Sequence, residues 1–224
     1  MIWLTADLHL NHYNILTFEH DNLQRNGFGH IDTIDAYNKM IISRVNMYVQ
    51  PHDTLYILGD FAFGGIDKIA PLVSQINGRK ILIFGNHDKY SLIQAKTMGF
   101  AEVHESPVYL PGCHGKVILS HYPVLEAYNN PYIALNIHGH LHNSKLDLPN
   151  YLNANIAMNE YTPISIQTLK PRIESCGKSR REPWLHEWYA SHTVFPHDTK
   201  NAIVDSTGHL LIEETKQMKN ITER

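Results

Sequence analysis

"RKILIFGNHD", Arg79–Asp88, is the stretch that decides the fold. Ile81, Leu82, Ile83 and Phe84 follow one another without a polar break, and Gly85–Asn86 ends the run. A short unbroken apolar run closed by turn residues reads as a strand covered on both faces, because a half-solvated strand would alternate. Outward from it the same design recurs in "MIWLTAD" (1–7), "DTLYILGD" (53–60), "KVILSH" (116–121) and "YIALNIHGH" (132–140). Between these runs the apolar period changes to that of a helix. Ile34, Tyr37, Ile41, Val45 and Tyr48 share one stripe, with Asp32 or Thr33 as N-cap. Ile66, Ile69, Val73 and Ile76 share a second, closed by Asn77–Gly78, and Pro71 predicts that this helix starts late or kinks. A shorter helix is expected over 91–98. Strand alternating with helix predicts an α/β protein, with helices covering both faces of a parallel sheet.

The composition excludes several classes. The chain of 224 residues is 43% hydrophobic and 18% charged, ordinary for a globular protein with one good-sized core. A formal charge of −3 gives no general field toward nucleic acid or anionic lipid. Cys113 and Cys176 stand far apart and form no disulfide framework, so a reducing, cytoplasmic setting is the default expectation. No apolar run is long enough to span a bilayer, and the N-terminus lacks a basic signal-like region, so no membrane partner is expected. The unusual feature is 16 histidines against 22 acidic residues.

The ends of the apolar runs share a chemistry. The first is followed by Asp7 and His9, the second by Asp60, the third by Asn86, His87 and Asp88, the fourth by His121, the fifth by His140 and His142. Sites in open α/β sheets gather beyond the carboxyl ends of the strands. Five strands would thus deliver oxygen and nitrogen ligands to one sheet edge. In "IHGHLHN", Ile137–Asn143, histidines two apart would face the same way if the segment were extended, which suits a metal.

Taken in order, "DLH", "GD", "GNHD", "SH" and "GHLH" resemble the motif series of the calcineurin-like metallophosphoesterases. The likeness spans residues 1–169 and is strongest to a small bacterial and phage branch, through "ADLHLNHYNI" and "YTPISIQTL". It implies a four-layer α/β/β/α sandwich over 1–169, with residues 170–224 as an accessory segment. It also implies a dinuclear centre: Asp7, His9 and His142 on one divalent metal, Asn86, His121 and His140 on the other, and Asp60 bridging. Mixed nitrogen and oxygen donors favour manganese, with iron, zinc, cobalt or nickel as alternatives, over calcium. Such a pair holds its metals about 3.5–4 Å apart and generates a metal-bound hydroxide as nucleophile. The resemblance makes His87 the general acid on the leaving group and Asp88 the carboxylate that orients it; a turn-capping role for Asp88 is the alternative. Gly59, Gly85 and Gly139 adjoin ligands, where a side chain would obstruct close packing.

The implied activity is hydrolysis of phosphate esters, with small or nucleotide diesters as substrates. Phosphomonoesters, a nuclease activity on DNA or RNA ends and a non-catalytic protein-binding scaffold are the alternatives. A scaffold would be expected to lack ligands or the "GNHD" histidine, and none is missing. A nuclease needs a cationic surface, which an acidic chain of this size does not advertise.

Several residues carry weaker signals. Asn11 and His12 follow the first ligands and are candidates for substrate contact or for loop-stabilising hydrogen bonds. His138 lies in phase with His140 and His142 but outside the implied ligand set, so a hydrogen-bonded role is expected. Asn143 and Tyr122 neighbour ligands. Asn159 stands where the related branch carries an aspartate. Beyond residue 169, Trp184, Leu185, Trp188 and Tyr189 recur at helical spacing, and "AIVDSTGHLLIEE" reads as a hairpin turning at Gly208. Lys178, Arg180 and Arg181 form a small basic cluster. A flap, an added edge or a homodimer contact are the roles expected of this segment, with nucleic-acid contact as the minor alternative.

Overall fold

Every apolar run becomes a strand, but in two sheets rather than one. A computed structural model of the chain describes residues 1–179 and the short strands at 203–204 and 210–211, with side chains described through residue 175. In the first sheet β1 (Ile2–Thr5), β2 (Thr54–Leu58), β3 (Arg79–Ile83) and β4 (Glu102–His104) run parallel, and β9 (Ile164–Ser165) joins β1 antiparallel, giving the order β4-β3-β2-β1-β9. In the second, β5 (Val108–Tyr109) pairs antiparallel with β6 (Val117–Leu119), and β6, β7 (Leu135–His138) and β8 (Tyr151–Asn153) are parallel.

The single sheet expected from the runs is therefore corrected, and the burial pattern explains why. Leu4, Leu58, Ile81 and Ile83 of the first sheet share one apolar cluster with Val117, Leu119, Leu135 and Ile137 of the second. Leu55, Ile57 and Leu82, on the opposite face of the first sheet, pack with residues of α3 (Ile34–Tyr48), α4 (Ile66–Gln75) and α5 (Leu92–Met98). Ile118 and Tyr151 of the second sheet cluster with Ala127 of α6 (Leu125–Asn129). A strand buried on two faces looks the same in sequence whether its cover is a helix or another sheet.

The helices form for local reasons. Thr33, not Asp32, caps α3: its Oγ1 accepts the Ala36 N–H at 3.2 Å, and Tyr37, Ile41 and Val45 face the core. α4 begins directly after Gly65 and carries Pro71 inside, so the late start expected from that proline does not occur. A mid-helix proline costs about 3 kcal/mol. Fully burying Ile69 and Val73 returns about 1.5–3 kcal/mol each, enough to hold the helix. α5 has a capping box between Ser91 and Gln94 and stops at Gly99, whose φ of 109° is left-handed.

The connection after β1 contains α1 (Ile15–Phe18) and α2 (His20–Arg25), and a 3-10 turn spans Ala157–Asn159. α7 (Ile166–Ser179) runs across residue 169, and Ile173 joins the apolar cluster shared by the two sheets. β10 (Ile203–Val204) and β11 (Leu210–Leu211) pair antiparallel, Ile203 opposite Leu211, so the expected hairpin is present. Lys178 falls in α7; Arg180, Arg181, Trp184, Leu185, Trp188, Tyr189 and Gly208 lie outside the described residues. No helix among the described residues is long and apolar enough to cross a membrane.

Candidate metal centre

The site is built from turns that are costly to make. Nine non-glycine residues among those described have positive φ, and five of them are Asp7, His9, Asp60, His140 and His142. Asp, Asn and His tolerate this left-handed region best, yet it still costs free energy, and such residues concentrate where geometry is imposed by function. Each strand ends, the backbone turns sharply, and the side chain swings back across the strand ends. "IHGHLHN" is accordingly not an extended segment. β7 ends at His138, and φ values of 70° and 46° at His140 and His142 turn their side chains. His138 stays buried, its Nδ1 2.8 Å from the Gly139 carbonyl oxygen, as expected of a hydrogen-bonded histidine.

Three glycines let these turns meet. A Cβ on Gly85 would sit 2.2 Å from Asp60 Oδ1, one on Gly59 2.4 Å from His121 Nδ1, and one on Gly139 2.7 Å from Asp7 Oδ2. Gly85→Ala is expected to displace Asp60 and weaken divalent-metal binding at least tenfold, a loss on the scale seen when the partners of ligands are removed. Isothermal titration with Mn²⁺ against the wild type checks this; equal affinities would contradict it.

The donor atoms fall into two groups. Asp7, His9 and Asp60 are buried and present ligand atoms within 4.8 Å of one another. His142 stacks on His9 at 5.0 Å and 14°. Both ring nitrogens of His9 and Asp60 Oδ2 are buried without any hydrogen-bond partner. In the second group, Asn86 Oδ1 lies 2.8 Å from His121 Nε2 and 3.0 Å from His140 Nδ1. The Leu58 carbonyl, 2.9 Å from His121 Nδ1, accepts a hydrogen bond from that nitrogen, which leaves Nε2 as the ring atom aimed at the Asn86 amide oxygen. Two ring nitrogens and an amide oxygen thus converge on one point, an arrangement that a cation could take up. Asp60 Oδ2 stands between the groups, 3.8 Å from His9 Nε2 and 3.6 Å from His121 Nε2.

Electrostatics favour the same occupant. Burial pushes the Asp7 carboxyl up to about 6, although His121 and His142 pull it down, as expected of a buried acid short of positive charge. Burial holds His9 down to about 3 and His140 to about 4, so both rings are neutral and ready to ligate at neutral pH. His142 alone of the ligating candidates is shifted upward among the imidazoles, chiefly by Glu19.

These shifts set the acid stability of the metal-free protein. His9, His140 and His138 (about 4) titrate near 6.5 when unfolded, so their contribution is present above 6.5 and lost as pH falls toward their folded values. Asp7 works oppositely: its contribution is present below 3.8 and lost as pH rises through about 6. Between pH 6 and 4, His9, His138, His140 and the likewise lowered His12 take up protons on unfolding, while Asp7 and the likewise raised Asp88 release them. EDTA-treated protein is expected to unfold with a net uptake of protons and to weaken on acidification. Urea midpoints measured across that range check this, and a flat or rising profile would contradict it.

The residues around the ligands are placed as follows. His87 is exposed; its backbone N–H donates to Asp60 Oδ1 at 2.8 Å, and its ring lies 5.3 Å from Phe63 and 5.8 Å from His9. Asp88 does not orient that ring. Its Oδ2 accepts the Asp60 and Gly85 N–H groups, and its Oδ1 accepts the Phe61 N–H and the Tyr90 hydroxyl. Four donors fill the carboxylate, so Asp88 pins two ligand turns together, which is the turn-capping alternative. Asn11 takes the loop-stabilising role: Asn38 accepts its N–H and donates to its side-chain oxygen. His12 stacks on Phe63 at 4.2 Å, with Nδ1 buried and unpartnered. Tyr122 lies 4.3 Å from the His140 ring. Asn159 donates to the carbonyls of Asn153 and Asn155.

Sequence reasoning missed Asn155, which donates to Asp7 Oδ2 at 3.2 Å, and Glu19, Asn22 and Phe63. Only the site itself relates these residues to one another, so no spacing rule could have found them.

Fold and site define a mixed α/β protein with two parallel-rich sheets and a buried Asp–His–Asp group able to hold a metal. No family model matches the chain. It is similar to the uncharacterized protein MJ1445 of Methanocaldococcus jannaschii, 28% identical over 182 residues, covering 77% of this chain and 91% of the relative. It is also similar to the gene 66 protein of Mycobacterium phage L5, 31% identical over 138 residues, covering 54% of this chain and 62% of the relative. Among solved structures, the protein of unknown function AQ665 from Aquifex aeolicus aligns with a TM-score of 0.59 at 27% identity, over 76% of this chain and 98% of that one.

Proposed function

We propose that this chain is a dinuclear-metal phosphoesterase of the calcineurin-like metallophosphoesterase type, acting on small or nucleotide phosphodiesters in the cytoplasm. The observation that carries the reading is the buried, unpartnered set of metal-donor atoms, both His9 ring nitrogens and Asp60 Oδ2, beside the convergence of His121 and His140 on Asn86 Oδ1. Leaving a buried polar group unsatisfied costs about 1–3 kcal/mol, and several together call for an occupant. Two sheets sharing one apolar cluster, with helices packed on their other faces, also suit the four-layer α/β/β/α sandwich of that superfamily.

The residues fit a pair of divalent cations. Asp7, His9 and His142 would hold one, Asn86, His121 and His140 the other, and Asp60 would bridge, its Oδ2 lying between the two groups. Mixed imidazole and oxygen donors favour manganese or another first-row metal such as iron, zinc, cobalt or nickel over calcium or magnesium. Such a pair, when bound, polarises phosphoryl oxygens and lowers the pKa of water toward ~7.

The chain's own residues supply the remainder. His87 is the exposed imidazole beside the ligands, free of their buried contacts, and donates a proton to the departing ester oxygen. Its backbone tie to Asp60 and its packing on Phe63 fix where that ring stands. Asp88, through four hydrogen bonds, keeps the turns carrying Asp60 and Gly85 in register. Cutting one diester bond needs one attacking and one departing oxygen on opposite sides of phosphorus, and His87 serves the departing side.

The test begins with elemental analysis of purified protein, followed by a substrate panel with added Mn²⁺: cyclic nucleotides, dinucleotides, nucleotide sugars, aryl mono- and diesters and single-stranded oligonucleotides. Hydrolysis of a diester that EDTA abolishes and Mn²⁺ restores is expected. Metal-independent turnover, or none with any ester, would count against the proposal. Oligonucleotide binding with a steep salt slope would move it toward a nuclease.

A further inference from the structure

Five acidic side chains among the described residues are buried, and four have evident employment. Asp7 and Asp60 belong to the candidate metal centre. Asp53 accepts the N-terminal ammonium at 2.5 Å, the Trp3 indole at 3.1 Å and the Gln50 N–H at 2.9 Å. Asp88 is filled by four donors. Glu19 remains. It is 3% exposed, and although it occupies the N-cap position of α2, its side chain makes no cap hydrogen bond. Its Oε2 accepts from the Asn22 amide at 2.5 Å, and its Oε1 lies 3.7 Å from His142 Nδ1.

We propose that Glu19 is a positioning residue for the metal centre: it accepts a hydrogen bond from His142 Nδ1–H and so commits the Nε2 lone pair of that ring to the cation. The inference rests on the reading above that His142 is a ligand. A ligating imidazole is an effective donor only in one tautomer and one ring orientation, and a carboxylate on the other nitrogen secures both. Here the division of labour is visible. Stacking on His9 at 14° fixes the plane of the His142 ring, while only an in-plane partner fixes its rotation within that plane. Glu19 Oε1, 3.7 Å from Nδ1, is the carboxylate oxygen placed to serve as that partner.

The carboxylate is itself held. The Asn22 amide nitrogen that donates to Glu19 also donates to the Asn143 side-chain oxygen, next in the chain to His142. Asn153 donates to the His142 and Ser144 carbonyls at 3.0 and 2.8 Å, fixing the same turn from the other side. Glu19 and the turn it serves are thus clamped by one asparagine, and α1–α2 is joined to the His140–His142 turn through polar contacts. His121 offers the parallel case, with the Leu58 carbonyl on Nδ1.

The test uses full-length protein loaded with Zn²⁺, which is diamagnetic. In the wild type, nitrogen-15 NMR of the histidine rings is expected to show His142 protonated at Nδ1 and two bound zinc ions. In Glu19→Leu the affinity of one of the two sites should fall about 10–100-fold with the other unchanged, and the His142 tautomer should become mixed. Glu19→Gln keeps an oxygen acceptor, so it should preserve the tautomer and rescue most of the affinity; a residue needed only for folding would show no such rescue. Two bound zinc ions in a wild type protonated at His142 Nε2, or a Glu19→Leu protein with both affinities and the tautomer intact, overturns the role given to Glu19 while leaving the metal centre standing. A wild type that binds no zinc overturns the metal centre and this role together.

Discussion

Substituting His87 by alanine is expected to slow hydrolysis of a phenyl or alkyl phosphodiester by about 10²–10⁴-fold, the usual contribution of a positioned general acid. The metal content should not change, because the imidazole lies outside the buried donor groups and only its backbone N–H is bonded to Asp60. The loss should be smaller with a nitrophenyl ester, whose leaving group is stable as an anion and needs little protonation. That dependence on leaving group separates proton donation from simple damage to the site, which would slow all esters alike. Equal rates for wild type and variant on the phenyl diester, at equal metal content, would remove His87 from the reaction.

Asp60→Asn should abolish the metal pair as well as slow the reaction. Asp60 Oδ2 is the atom shared between the two donor groups, and an amide cannot bridge two cations as a carboxylate does. A pair of cations supplies several kcal/mol of charge stabilisation, and each 1.36 kcal/mol is tenfold in rate, so activity should fall by about 10³-fold or more. Bound metal, read by elemental analysis, should drop from two equivalents. The metal-free variant, by contrast, should be at least as stable as the metal-free wild type. Asp60 is one of the influences that push the neighbouring Asp7 carboxyl up, and neutralising it relieves a buried like-charge contact. Loss of function together with unchanged or improved thermal stability is the signature of a site kept for chemistry at the expense of the fold.

β1, β2, β3, β6 and β7, the helices α3, α4 and α5 and the polar residues at the strand ends were legible in the sequence because each depends on near neighbours, whereas the short strands β4, β5, β8 and β9 and the helix α7 were not. Thr33, Ser91 and Gly99 act within one helical turn, and the apolar runs need only be apolar. Partition into two sheets was not legible from the runs, since burial on both faces reveals nothing about what covers each face. Residue alternation in "IHGHLHN" pointed to convergence of His140 and His142, and they converge, but through left-handed turns instead of a pleat. Asp88 follows His87 in sequence, which suggested a pair, whereas its oxygens are taken by N–H groups from a turn about 27 residues away. Glu19 and Asn155 contact His142 and Asp7, which lie far along the chain, and no local pattern marks them.

Anomalous diffraction from crystals grown with Mn²⁺ tests the central claim most directly. Two peaks are expected, one contacted by Asp7, His9 and His142, one by Asn86, His121 and His140, with Asp60 touching both. A single peak elsewhere on the molecule, or none at these seven side chains, would contradict it.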